Sequence, residues 1–165
     1  MKHCFSGSHG TGKTTSVYNY AMTCKIQFPG RNVGISSENA RVTPYKSINQ
    51  NSCKNNQLWI FTDQISKEIK YSSTYNLLIC DRTCVDSIAY TWFIDESLAR
   101  SMLEFAKEWV YTYNKIYFKT IDNNDYLEYD GIRDCDRDYR QRIEDKMLEC
   151  YNILSNYSSW EIVYV

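Results

Sequence analysis

Residues 7–14 read Gly7-Ser8-His9-Gly10-Thr11-Gly12-Lys13-Thr14, a complete G-x-x-x-x-G-K-[ST] phosphate-binding loop. Such a loop joins a strand to a helix and holds a nucleoside triphosphate between them, so it sets the first unit of the fold. The strand is Lys2-His3-Cys4-Phe5-Ser6. Gly7, Gly10 and Gly12 let the backbone curl until successive N–H groups point at phosphate oxygens, some at φ values that a Cβ resists. A helix beginning near Lys13 turns its positive dipole end toward the same anion. Lys13 supplies a mobile cation for the β- and γ-phosphates, and the Thr14 hydroxyl is placed to ligate Mg²⁺. Ser8, His9, Gly10, Thr11, Gly12, Lys13, Thr14 and Thr15 are the expected nucleotide contacts. His9 stands at a variable position of the motif and is assigned no proton-transfer role.

Outward from the loop, Val17, Tyr20, Ala21, Cys24 and Phe28 recur at helical spacing, and Pro29-Gly30 stops the helix. Residues 32–36 read as a short strand, and residues 43–54 as a polar, irregular stretch broken by Pro44. Leu58, Phe61, Ile65 and Ile69 mark a second helix. Gln57 and Gln64 on it would either line a site or form its outer face. Asn76-Leu77-Leu78-Ile79-Cys80 is a continuous apolar run ending in Asp81, the mark of a strand buried on both faces. Residues 86–93 predict a short helix. Asp95 caps the next, with the stripe Leu98, Met102, Phe105 or Ala106, Trp109 and Tyr113. Residues 115–119 form a strand, Ile143, Met147, Cys150, Tyr151 and Leu154 a last helix, and residues 160–165 a closing strand. This alternation predicts an α/β, three-layer fold of the phosphate-binding-loop NTPase type, with a five-stranded parallel sheet and helices on both faces.

Composition suits one domain over residues 1–165, a length that buries roughly 70% of the unfolded surface. Net charge is −1, so any basic site is local and no general affinity for polyanions follows. The 15 tyrosines read as amphipathic packing residues rather than base-stacking platforms. Seven cysteines form no CxxC pair and no Cys/His cluster, which argues against zinc. Their odd number, and Met1 leading straight into the first strand with no room expected for a targeting segment, point to reduced thiols in the cytoplasm. No apolar run approaches the ~20 residues of a membrane span.

In a parallel sheet the ligand lies beyond the carboxyl ends of the strands. The glycine loop, residues 37–41, Asp81-Arg82 and the Asp- and Asn-rich stretch 120–136 all fall at that edge. Asp81, at the end of a buried strand, is the candidate Mg²⁺-organising acid opposite Thr14; the competing role is a cap on the following helix. Arg82 beside it can neutralise a donor or acceptor phosphate. Arg133, with Arg137 and Arg140 sharing a helix face, suggests a cationic lid at about 120–140 that closes over the transferring phosphate. Asp134, Asp136 and Asp138 alternate with these arginines and would pair with them in a solvated turn instead.

The stretch Asp81-Arg82-Thr83-Cys84-Val85-Asp86-Ser87-Ile88-Ala89-Tyr90 resembles the Asp-Arg…Ser-x-x-Ala-Tyr segment of thymidylate kinases. It is still more similar to the Asp-Arg…Asp-x-x-Ala-Tyr segment of the small kinases related to ribosylnicotinamide kinase. Glu38-Asn39-Ala40-Arg41 is similar to the latter group's Glu-x-Ala-Arg, and Asp130-Gly131-Ile132-Arg133 with Arg137 and Arg140 looks like its Asp-Gly-x-Arg lid. Thr83 and the polar segment 43–56 depart from these relatives. The resemblance implies ATP- and Mg²⁺-dependent phosphoryl transfer to a nucleoside or nucleoside monophosphate-like acceptor. It implies Lys13, Asp81, Arg133 and Arg137 as catalytic, Thr14 and Asp81 as metal ligands, and Glu38, Arg41 and Arg82 on the acceptor, Glu38 able to accept a hydroxyl proton. A homodimer is compatible with it. Two other functions stay open: a kinase acting on a nucleic-acid end or base, and a nucleotide-dependent ATPase or switch working through a protein partner.

Overall fold

The structure, a computed structural model, describes residues 1–38, 40, 42–45, 52–122 and 136–165. The chain alternates strand and helix: β1 (Lys2–Ser6), α1 (Lys13–Gln27), β2 (Val33–Ser36), α2 (Lys54–Ser72), β3 (Leu77–Asp81), α3 (Cys84–Trp92), α4 (Glu96–Lys107), β4 (Lys115–Phe118), α5 (Arg137–Leu154) and β5 (Glu161–Tyr164). Single 3₁₀ turns at Val110–Thr112 and Ser155–Tyr157 lead into the last two strands. The five strands form one sheet in the order β2-β3-β1-β4-β5, every pair parallel. No helix among the described residues is long and apolar enough to cross a membrane.

The strand order dictates the layers. A β–α–β crossover is right-handed, so the direction in which the chain steps across the sheet decides the face its helix covers. Only the step from β1 to β2 runs toward the β2 edge; every later step runs the other way. One helix therefore belongs on one face and four on the other. Phe5, Leu77 and Ile79 pack against Val17, Ala21 and Cys24 of α1. Cys4, Leu78, Cys80, Ile116 and Phe118 alternate to the opposite face, where they meet residues of α2, α3, α4 and α5 such as Phe61, Ile88, Leu103 and Met147.

Three elements differ from the sequence expectation. α3 begins at Cys84, two residues early, because Thr83 caps it: its hydroxyl accepts from Val85 N, and the Asp86 carboxylate accepts from Thr83 N. α4 stops at Lys107, short of Trp109 and Tyr113, as Glu108 N–H closes on Phe105 O and Ala106 O and tightens the last turn. That turn buries Ala106 and leaves Phe105 45% exposed, and the inward stripe becomes Ala99, Met102, Leu103 and Ala106. On α2 the apolar expectation is half reversed. Phe61 and Ile65 are buried, whereas Leu58 and Ile69 face solvent and the polar Asn56, Gln57, Gln64 and Glu68 turn inward.

Candidate active site

β1 and β3 are neighbours in register, Phe5 opposite Asp81, so the glycine loop and the Asp81-Arg82 corner leave the sheet side by side. Arg82 N–H donates to Phe5 O (2.9 Å) and Lys119 N–H to Ser6 O (2.8 Å), which clamps the root of the loop from both flanking strands. Gly7 sits there at φ +137°, and a Cβ would lie 2.3 Å from Lys119 O, so no other residue fits. Gly10 and Gly12 also have positive φ, 77° and 72°, and Gly12 is the residue from which α1 springs.

Lys13, the first residue of α1, is buried. Its amine turns back into the loop, donating to Ser8 O and to Thr11 Oγ1 (3.2 Å), while the Thr11 hydroxyl donates to Ser8 O (3.1 Å). Burial pushes the amine down to about 7, and the nearby positive charge of Arg82 pushes the same way, against Asp86, Glu38 and Asp81. Thr14 and Thr15 are exposed on the first turn. Thr14 Oγ1 donates to Asp81 Oδ2 at 2.6 Å. Asp81 Oδ1 is buried with no hydrogen-bond partner. Burial raises the Asp81 carboxyl above the usual carboxylate range, opposed by the Thr14 bond and by Arg82. Asp81 therefore does not cap α3, a task Thr83 performs. One hydroxyl and one carboxylate with an unsatisfied buried oxygen suit a hard divalent cation such as Mg²⁺, which binds through one or two protein ligands plus phosphate oxygens. Among the described residues, no three His, Cys, Asp or Glu side chains gather into a fuller metal site.

The corner beside the glycine loop is built on Arg82, whose φ of +93° makes it the one non-glycine residue with positive φ among the described residues. Its Nε lies 2.6 Å and its Nη2 also 2.6 Å from Glu38 Oε1, and Nη1 reaches Asp86 Oδ1 at 3.2 Å. The guanidinium stands over the Tyr90 ring, 5.8 Å from its centre. Asp86 is fully buried, and its Oδ2 accepts from Ser6 Oγ (2.8 Å), Thr83 N (2.9 Å) and Thr83 Oγ1 (2.9 Å). It ties the end of β1, the cap of α3 and the Arg82 guanidinium into one unit.

α5 closes the site from above. Asp136 caps it, accepting from Asp138 N and Tyr139 N. Arg140 is buried and donates from Nε to His9 O (2.9 Å), while Ser8 Oγ donates to Arg140 O (3.0 Å). His9 Nδ1 meets Tyr90 OH at 2.9 Å. Arg137 and Arg140, expected to share a face, thus differ: Arg140 grips the loop backbone, and Arg137 is exposed at the helix start. Arg41, Arg133 and most of the expected lid lie outside the described residues. Lys13, Thr14, Asp81, Arg82 and Glu38 gather at this edge of the sheet. Gln64, which the sequence offers as either lining a site or forming an outer helix face, turns inward; Asp86 and Tyr90 stand in the sequence only within the family-like stretch, although the Thr83-x-x-Asp86 spacing, close to a capping box, signals Asp86.

Residues 2–162 match the family described as the AAA domain. The chain belongs to that family. No curated protein matches it significantly. Among solved structures, this AAA domain is similar to the thymidylate kinase of Ehrlichia chaffeensis, with a TM-score of 0.65 and 16% identity over 99% of this chain and 86% of that one. It is similar also to the deoxyadenosine kinase of M. mycoides. One structure, with the products dCMP and a flexible dCDP bound, has a TM-score of 0.66 at 16% identity over 100% of this chain and 89% of that one. Another, with bound dATP, has a TM-score of 0.64 at 16% identity over 99% and 91% of the two chains. The AAA domain described here thus has the fold of small phosphate-binding-loop nucleotide kinases.

Proposed function

We propose that this protein is an ATP- and Mg²⁺-dependent kinase acting on a nucleoside or a nucleoside monophosphate-like acceptor. The observation that carries the reading is the Glu38–Arg82 pair, held at 2.6 Å beside the glycine loop. A nucleotide hydrolase needs no second carboxylate–guanidinium site facing its phosphate loop, whereas a transferase must hold two substrates there. The fold shared with thymidylate and deoxyadenosine kinases supports the same class.

In this reading the amides of residues 8–15 cradle the ATP phosphates, and Lys13 exchanges the Ser8 carbonyl for phosphate oxygens. Thr14 and Asp81 hold Mg²⁺, which when bound neutralises charge on the β- and γ-phosphates. Glu38 orients the acceptor hydroxyl and accepts its proton, with Arg82 and Arg41 on the acceptor or its phosphate. Arg133 and Arg137 stabilise charge on the transferring group from the lid. The six cysteines of the described residues are free, which suits the cytoplasm, and a homodimer accords with this class. The test is ADP formation with Mg·ATP against a panel of nucleosides and monophosphates. Acceptor-dependent turnover that falls at least a hundredfold in Lys13→Ala supports the reading. Turnover with water alone, indifferent to every acceptor, defeats it.

A further inference from the structure

The positive φ of Arg82 is maintained by bonds to each polar backbone group around it. Its N–H donates to Phe5 O (2.9 Å), and the next N–H along, of Thr83, donates to Asp86 Oδ2 (2.9 Å). The Arg82 carbonyl, between these two, accepts from Gln64 Nε2 (3.3 Å) on α2. Gln64 is 3% exposed, and its Nε2 also donates to Glu68 Oε1 (2.8 Å), one turn along the helix. Both of these partners of Nε2 are acceptors, a carboxylate and a carbonyl, so the amide presents nitrogen to them and cannot flip without losing both bonds.

Glu68 is fully buried and is itself fixed from three further directions. Its Oε2 accepts from Lys2 Nζ (2.8 Å) and Trp109 Nε1 (3.0 Å), and its Oε1 accepts from Tyr113 OH (3.2 Å). A buried carboxylate among four donors is a rigid object, because any rotation strands a donor. The chain of contacts therefore runs from the foot of β1 through Glu68 and Gln64 to the peptide that aims the Arg82 guanidinium at Glu38.

We propose that Gln64, locked by Glu68, is a positioning residue for phosphoryl transfer: it holds the Arg82–Thr83 peptide in the orientation that presents Arg82 to the acceptor. This rests on the kinase reading above for its consequence in turnover, and on geometry alone for its consequence in structure. Without the Gln64 donor the part-buried Arg82 carbonyl has lost that bond, the peptide turns, and Arg82 relaxes toward negative φ with its guanidinium off Glu38.

The experiment pairs Gln64→Met, close in length but without a donor, with Glu68→Gln, which keeps the shape and removes the charge that locks the amide. Two readouts are taken well below the melting temperature. In ¹⁵N NMR the Arg82 Nε–H resonance, slow to exchange while bonded to Glu38, should lose protection at least tenfold in Gln64→Met and by less in Glu68→Gln. In steady-state assays kcat should fall at least tenfold in Gln64→Met while KM for Mg·ATP stays within twofold. An unchanged Arg82 exchange rate in both variants overturns the proposal. So does a rise in acceptor KM at unchanged kcat, which would mean that Gln64 touches the acceptor itself. If the wild-type protein phosphorylates no acceptor and the Arg82 resonance still responds as stated, the positioning role stands and the kinase reading falls.

Discussion

Replacing Gly7 by alanine isolates what the loop root demands of the fold. Gly7 lies at φ +137°, and a Cβ would stand 2.3 Å from Lys119 O and 3.2 Å from Lys119 C. The obstructing atoms are backbone, and Lys119 N–H is bonded to Ser6 O at 2.8 Å, so the end of β4 cannot retreat without loosening the bond that clamps the loop. The strained backbone costs about 1–3 kcal/mol, and the overlap adds about 1–3 kcal/mol in the manner of an overpacked core. Gly12→Ala is the internal control. Gly12 also has a positive φ, +72°, but a Cβ there meets nothing within 4 Å, so only the left-handed cost of about 1–2 kcal/mol applies. Both substitutions shorten the list of unfolded conformations equally, so that contribution cancels in the comparison.

A chain of this size loses about 2–4 °C per kcal/mol. Gly7→Ala should thus melt roughly 4–24 °C below the wild type by that conversion, and Gly12→Ala roughly 2–8 °C below. Urea titration and differential scanning calorimetry of the nucleotide-free protein measure both. If Gly12→Ala destabilises as much as Gly7→Ala, the close approach of Gly7 to Lys119 is not what fixes glycine at the loop root.

Two further outcomes follow from buried polar groups. Lys2→Met leaves the Glu68 carboxylate, fully buried, without its cation at 2.8 Å, and should cost about 3–5 kcal/mol in urea unfolding; adding Glu68→Met should recover part of that loss, and strictly additive effects would show that the two charges do not act as a pair. Burial, then Lys115 and the N-terminal amine, lower the His3 imidazole from 6.5. Its folded value lies under its unfolded one, so the unfolded chain binds more protons in between, and stability is full above 6.5 and declines as pH falls through that window. The drop in melting temperature from about pH 7.5 to about pH 5.5 should be smaller in His3→Asn than in the wild type, and an equal drop would remove His3 as a contributor to acid sensitivity.

How far the sequence reaches depends on whether a feature is local. The run Leu77–Cys80 announces a doubly buried strand because alternation disappears only when both faces are covered. Asp81 and Arg82 are placed at the edge beside the glycine loop by the same logic, since a polar pair ending such a strand lies at the sheet rim. Sheet order is different. Nothing near β1 states that β3, rather than β2, lies beside it, because that choice is made by packing between segments more than 70 residues apart in sequence. The inward polar face of α2 is hidden for a related reason. Gln64 and Glu68 look like a solvated stripe until Lys2, Trp109 and Tyr113, from distant elements, supply the donors that make burial tolerable. The end of α4 is hidden in the sequence because Trp109 and Tyr113 continue its apolar period while flanking a following 3₁₀ turn.

The two cations of the site explain why the loop is arranged as it is. Lys13 and Arg82 stand at the carboxyl ends of adjacent strands, near enough that the charge on Arg82 disfavours the ammonium form of Lys13. Arg82 is already committed, its guanidinium divided between Glu38 and Asp86. Among the described residues the Lys13 amine hydrogen-bonds a carbonyl and a hydroxyl, neutral partners that repay little of the burial of a full charge. An anion entering the loop reverses that balance, since it favours the ammonium form and offers oxygens where the amine now bonds its own backbone. Lys13, which ties the loop to its own backbone, therefore has most to gain from a phosphate, while Arg82 is already held by two carboxylates.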